Sequence, residues 1–323
     1  MSTGRAAVRR LAARAVVLAT GLFCPPRWDR ARVRALVDAG LPDVALLTAH
    51  AALSDDAPRS TDDIAWLHYN AGRAAHTKGL LDQARSHFAR AAALQPEEPL
   101  FAYGLGWALR DEKRLASAVE ALERAEGLRP NDARVAYLLG VTLRDVGRLD
   151  DAVAALERAL AQDARHVRAT YALGLCHYER RRYAEAVTRF EAVTRAEPEN
   201  MRGHYQQGAA WLALGQIDRA LPSLRRALDL RADYAPTHFA LGRALATQDP
   251  VAARAHLLAA LTHPPVVTLA WLELGQLNER EGRTAQAISA YGDYLRAHPN
   301  AAGAEALRRH VDGLRRSLDR AAA

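Results

Sequence analysis

Seven glycines recur along this chain at a nearly constant interval: Gly72, Gly106, Gly140, Gly174, Gly208 and Gly242 stand 34 residues apart, and Gly275 follows after 33. A fixed period of that length means one supersecondary unit built repeatedly, which narrows the possible folds to arrays of stacked repeats. Other landmarks keep the same register. Twelve places after each glycine comes a small residue (Ala84, Ala118, Ala152, Ala186, Ala220), and four further on a large apolar one (Phe88, Leu122, Leu156, Phe190, Leu224). Three places later stand Ala91, Ala125, Ala159, Val193 and Ala227. Steps of three and four predict a helix with one buried stripe. Pro96, Pro130, Pro198, Pro265 and Pro299 close several units, where proline ends one helix and opens the link to the next.

Each unit therefore reads as two helices. The glycine of the first and the alanine of the second let the backbones approach until the large side chains interlock. Gly79, Gly147, Gly215 and Gly282 fall between the two helices, where a left-handed turn residue is wanted. Ala, Leu and Arg dominate, aromatics are 6% of the chain, and strand-favouring runs are missing, so no strand is predicted.

The pattern resembles the tetratricopeptide repeat. Trp271, Leu274 and Gly275, followed by Ala287, Tyr291 and Pro299, match that family's signature within one unit. The units phase as 65–98, 99–132, 133–166, 167–200, 201–234, 235–267 and 268–301, with a degenerate pair at 26–59 carrying Gly40, Pro42, Ala45, Ala49 and Ala52. Unit 235–267 is one residue short around Asp249-Pro250, and Pro222 sits where it could bend a helix. Over 302–323, Leu307, Val311, Leu314 and Leu318 form an apolar stripe expected to cap the array. The resemblance implies an all-α, right-handed superhelical solenoid of antiparallel helix pairs whose concave face binds polypeptides.

It also implies which side chains line that face. Three places before the glycines stand Tyr69, Tyr103, Tyr137, Tyr171, Tyr205 and Phe239, a column of amphipathic rings suited to a partner or to packing between first helices. Arg134, Arg168 and Arg202, with Arg73, Arg110, Arg144 and Arg243, are expected to make the groove locally basic unless Asp111, Asp145 and Glu179 neutralise it. Guanidinium groups beside phenols would suit an acidic or aromatic peptide. The lysine and asparagine clamp by which some members of the family hold chaperone tails has no match.

The net charge of +7 does not point to nucleic acid, because residues 1–34 hold eight arginines and one acid and the remainder balances at 36 basic and 36 acidic side chains. Residues 1–25 form an Arg-rich segment in which Arg5 to Phe23 resembles a signal peptide, a transit peptide or a leading amphipathic helix. Membrane contact is expected only through that segment; a cytoplasmic location is expected, with export through an N-terminal signal as the alternative. Cys24 and Cys176 have no metal-ligand spacing, and Cys176 falls mid-helix, where an inert buried thiol is expected.

Gly104-Leu105-Gly106 lies inside a helix and reads as packing, not as a phosphate loop. His204 and His238 stand one repeat apart without ligand spacing, and paired acids such as Asp62-Asp63 and Asp150-Asp151 read as first-turn charges. No catalytic constellation or cofactor motif emerges. The expected role is a protein-binding scaffold or adaptor, with a non-catalytic, substrate-presenting subunit of an enzyme complex as the alternative.

Overall fold

The computed structural model describes residues 30–55, 58–263 and 267–322. The leading segment 1–25, the stretch Arg5 to Phe23 and Pro265 lie outside these, as do the first residues of the 26–59 pair. Among the described residues there are seventeen helices and no strand. They are α1 (Arg30–Asp38), α2 (Pro42–Ser54), α3 (Thr61–Thr77), α4 (Leu81–Leu94), α5 (Pro99–Asp111), α6 (Leu115–Leu128), α7 (Ala133–Val146), α8 (Leu149–Gln162) and α9 (Val167–Glu179). There follow α10 (Tyr183–Ala196), α11 (Met201–Ala213), α12 (Ile217–Leu230), α13 (Ala235–Leu245), α14 (Pro250–Thr262), α15 (Ala270–Arg280), α16 (Thr284–Ala297) and α17 (Ala304–Ala322). The chain divides within α9 into two compact units, one ending at Ala172 and one beginning at Leu173.

First and second helices of a pair begin by different chemistry. Side-chain caps start several first helices, though not those at Ala235 and Ala270: the Ser60 hydroxyl accepts from the Asp63 amide at 3.1 Å, Asp132 from the Arg134 amide at 3.0 Å, and Asn200 from the Gly203 amide at 2.9 Å. Most second helices have no such cap and start from the turn itself. At α3–α4 the Gly79 amide donates to His76 O at 2.9 Å and the Leu80 amide to Ala75 O at 2.9 Å, so the end of α3 is closed as the chain reverses. Gly79, Gly147, Gly215 and Gly282 all have positive φ, as their position between helices predicts. Lys113 (φ 63°) and Arg181 (φ 59°) fill the same place in two other units, although a Cβ is strained there.

Inside the first unit the landmark residues form the seams. Ala84, Ala118 and Ala152, with Phe88, Leu122 and Leu156, are fully buried. A Cβ placed on Gly106 would fall 2.6 Å from Leu122 Cγ, so only glycine permits this approach. Each leucine so enclosed contributes about 1.5–3 kcal/mol by burial. The leading pair α1–α2 joins the unit through Val33, Leu36, Ala45, Leu46, Ala49 and Ala52, which cluster with Leu67, Ala71 and Phe88.

The second unit repeats the scheme with Phe190, Leu224, Leu257 and Tyr291. Its short repeat keeps the seam: Gly242 still meets Leu257, 2.6 Å from a built Cβ, while its first helix ends early, at Leu245. Asp249 closes that turn by accepting from the Ala252 amide at 2.9 Å, with Pro250 opening α14. Pro222 lies inside an uninterrupted α12. At the end of the chain Val311 of α17 is buried with Ala287 and Tyr291, Leu307 and Leu314 pack beside it, and Leu318 is exposed.

Candidate functional site

All six rings of the column are half-buried, so each leaves part of its surface to solvent. In the first unit Tyr69 meets Trp66 edge-on at 5.5 Å and leans on Phe88 at 5.6 Å and Phe101 at 5.4 Å. Tyr103 packs on Ala102, Ala125 and Val135, and Tyr137 lies 4.8 Å from the ring of His166. Tyr171 of α9 is half-buried as well. Burial raises the phenol pKa values of Tyr69 and Tyr103, so both stay neutral hydrogen-bonding groups across the physiological range. In the second unit Tyr205 meets Tyr234 edge-on at 5.5 Å, and the Arg243 guanidinium lies 5.8 Å from the Phe239 ring centre.

Carboxylates hold most of the candidate arginines. Arg134 grips Asp132 through two bonds of 3.0 and 2.7 Å, and this contact holds the Asp132 carboxyl below the ordinary range. Its charge bears on both Tyr103 and Tyr69. Arg73 binds Asp38 at 2.8 Å, Arg110 and Arg144 share Asp145 at 2.8 and 3.0 Å, and Arg243 faces Glu273 at 3.3 Å. Three contacts join residues 35 apart, linking one first helix to its neighbour: Asp38–Arg73, Arg110–Asp145 and His76–Asp111 at 2.8 Å. Asp145, one of the acids expected to neutralise these arginines, thus pairs with two of them. Arg168 and Arg202 stand exposed in the first turns of α9 and α11. Exposed pairs of this kind contribute at most about 1 kcal/mol each, so they orient the guanidinium groups more than they stabilise the fold.

Sequence reasoning missed the supporting residues. Trp66, His166 and Tyr234 brace the rings, and Trp107 stacks on His76 at 3.8 Å. It also missed two histidine groups at equivalent repeat positions. His68 of α3 and His87 of α4 face each other with Nδ1 atoms 3.0 Å apart, and five repeats on His238 of α13 and His256 of α14 do the same at 3.0 Å. His238 Nε2 donates to Ala232 O at 2.8 Å, and His204 Nε2, one repeat earlier, donates to Pro198 O at 2.9 Å. A carbonyl only accepts, so the neutral His238 keeps a bare Nδ1 that takes the His256 Nδ1 proton.

Other chemistry is sparse. Gly104 and Gly106 are packing positions, each with a side chain within 2.6 Å of a built Cβ, and Cys176 is fully buried. Among the described residues no group of three or more His, Cys, Asp or Glu side chains is placed to hold a metal ion, and no helix is long and apolar enough to cross a membrane.

No curated protein sequence matches the chain. Among solved structures, a Pseudomonas aeruginosa pilF structure is 19% identical, aligning 71% of this chain and 99% of that one with a TM-score of 0.56. The Cut9-Hcn1 hetero-tetramer of the APC/C contains a chain 18% identical, aligning 81% of this chain and 50% of that one with a TM-score of 0.60. MamA 41-end from Desulfovibrio magneticus RS-1 is 21% identical, covering 54% of this chain and 98% of that one with a TM-score of 0.51. At these identities the likeness is one of fold. The tetratricopeptide repeat profile matches residues 69–133, 137–188, 177–235 and 239–302, and with helix pairs at every matched unit the chain belongs to the tetratricopeptide repeat family.

Proposed function

We propose that the protein is a non-catalytic interaction scaffold that docks a peptide or partner protein on its first-helix ring column. The observation that carries this reading is the half-burial of Tyr69, Tyr103, Tyr137 and Tyr171 at one register of the first unit. A ring that is braced on one side and open on the other loses little conformational freedom when a partner covers it, which is how aromatic anchors become binding hot spots. Repeat surfaces of this kind favour extended peptides or partner helices. Arg134, held in place by Asp132 and near enough for its charge to bear on Tyr103 and Tyr69, favours an acidic or aromatic segment, since a pre-oriented guanidinium pairs with carboxylates and stacks on rings.

The test is a quantitative pull-down with mass spectrometry using the wild-type chain and Tyr137→Ala with Tyr171→Ala. Partner affinity is expected to fall about 10- to 100-fold, equivalent to roughly 1–3 kcal/mol, with little change in melting temperature. Retained capture of the same partners, or a collapse of thermal stability, would mean that the rings serve packing alone.

A further inference from the structure

We propose that the imidazoles of His50, His68 and His87 form an acid-sensitive latch holding the leading helix pair α1–α2 on the first repeat. His87 of α4 is the centre of the chain: its Nε2 lies 3.1 Å from Nε2 of His50 on α2, and its Nδ1 lies 3.0 Å from Nδ1 of His68 on α3. The His50 and His87 rings also stack at 5.2 Å. Three helices therefore meet at one run of ring nitrogens, and the His50–His87 step crosses from the leading pair to the repeat.

Proton counting shows why the run responds to acid. Neutral imidazoles satisfy both contacts by donating head to tail along the chain. One added proton on His87 is also accommodated, since its two N–H groups can donate outward. A second proton sets N–H against N–H across 3.0–3.1 Å and breaks a contact. When α1–α2 lifts away, His50 separates from His87 and can carry a proton while the His68–His87 pair carries another, so opening in acid takes up one more proton than the closed latch holds.

The surroundings oppose charge on the latch. The groups bearing on it are His50 from α2, His68 from α3 and Arg90 from α4. The nearby carboxylates are engaged elsewhere. Asp38 of α1 binds Arg73, Asp43 of α2 binds Lys78, and Asp62 and Asp63 of α3 bind Arg30. Asp82 of α4 and Glu112 beside α5 share Arg85, while Asp111 of α5 binds His76. Burial first, and then His68 and His50, press His87 down to about 4; burial and Arg90 lower His68. The folded values lie below the unfolded one. The closed form therefore has its full stability above about pH 6.5 and loses it as the pH falls from there toward about 4. Carboxylates with an ordinary value near 3.8 stay ionised through most of that window, so the histidines dominate the change.

Hydrogen–deuterium exchange on the full chain, corrected for the intrinsic effect of pH, tests the latch. Between about pH 7.5 and about pH 5, opening of the α1–α2 amides is expected to rise at least about tenfold relative to α7–α8. His50→Phe with His87→Phe keeps two stacked rings, removes their protons and is expected to abolish that rise. Unchanged α1–α2 protection in the wild type, or an equal acid response in the double variant, overturns the proposal. If the double variant does not fold, NMR titration of the wild-type histidine rings decides: His87 titrating near about 4 with His68 below its ordinary value supports the latch, and both rings at the ordinary histidine value overturn it.

Discussion

Phe88 on α4 and Leu122 on α6 occupy the same register of successive repeats, yet they constrain their neighbours differently. Leu122 touches one signature glycine, Gly106, where a built Cβ would fall 2.6 Å from it. Phe88 presses on two: a Cβ on Gly72 of its own pair would lie 2.8 Å from the ring, and one on Gly104 of the next pair 2.6 Å. At the register of Gly104 the following repeats carry Leu138 and Ala172. The glycine repeated every unit is thus a requirement of helix approach within a pair, whereas Gly104 answers the reach of one aromatic ring into its neighbour.

The largest effect expected from this contrast is Phe88→Ala, which should cost about 3–5 kcal/mol in chemical denaturation because it leaves a void between two helix pairs. Leu122→Ala should cost less, and equal losses would erase the distinction. Gly104→Ala should destabilise by about 1–3 kcal/mol through overpacking. In the double variant with Phe88→Leu most of that cost should vanish; strictly additive losses would show that the ring does not set the requirement. Turn geometry forms a separate class. Gly147→Ala, at φ 87°, should cost about 1 kcal/mol, and Lys113→Gly should recover a similar amount, both read from the denaturation midpoint. Smallest is Gly127→Ala in α6, where nothing lies within 4 Å of the added carbon: a gain of about 0.5–1 kcal/mol in the same measurement would show that the Gly104 penalty is steric.

Much of this architecture was legible before any coordinates, because close helix approach demands residues that recur visibly. The four turn glycines, the Gly–Leu seams and the buried alanines were all readable from spacing. Lys113 and Arg181 were not, since a left-handed turn is recognised in sequence by glycine and here neighbouring hydrogen bonds impose it on residues that resist it. The ring column was legible by register, but its half-burial depends on Trp66, Phe101 and His166, which follow no period. The pairing of the arginines was hidden for a related reason. Composition counts arginines, while their pairing depends on which acid lies one helix away, and the 35-residue offsets of Asp38–Arg73 and Arg110–Asp145 were a signal available to be read.

The shortened repeat at 235–267 carries a lesson for how such chains change. Because Gly242 and Leu257 still meet after an early end to the first helix, with Asp249 closing the connection, gain or loss of a residue at the handover between paired helices is absorbed locally. Length variation at that point is therefore a poor gauge of divergence between kindred proteins, and the same connection is a natural insertion point for a short reporter tag.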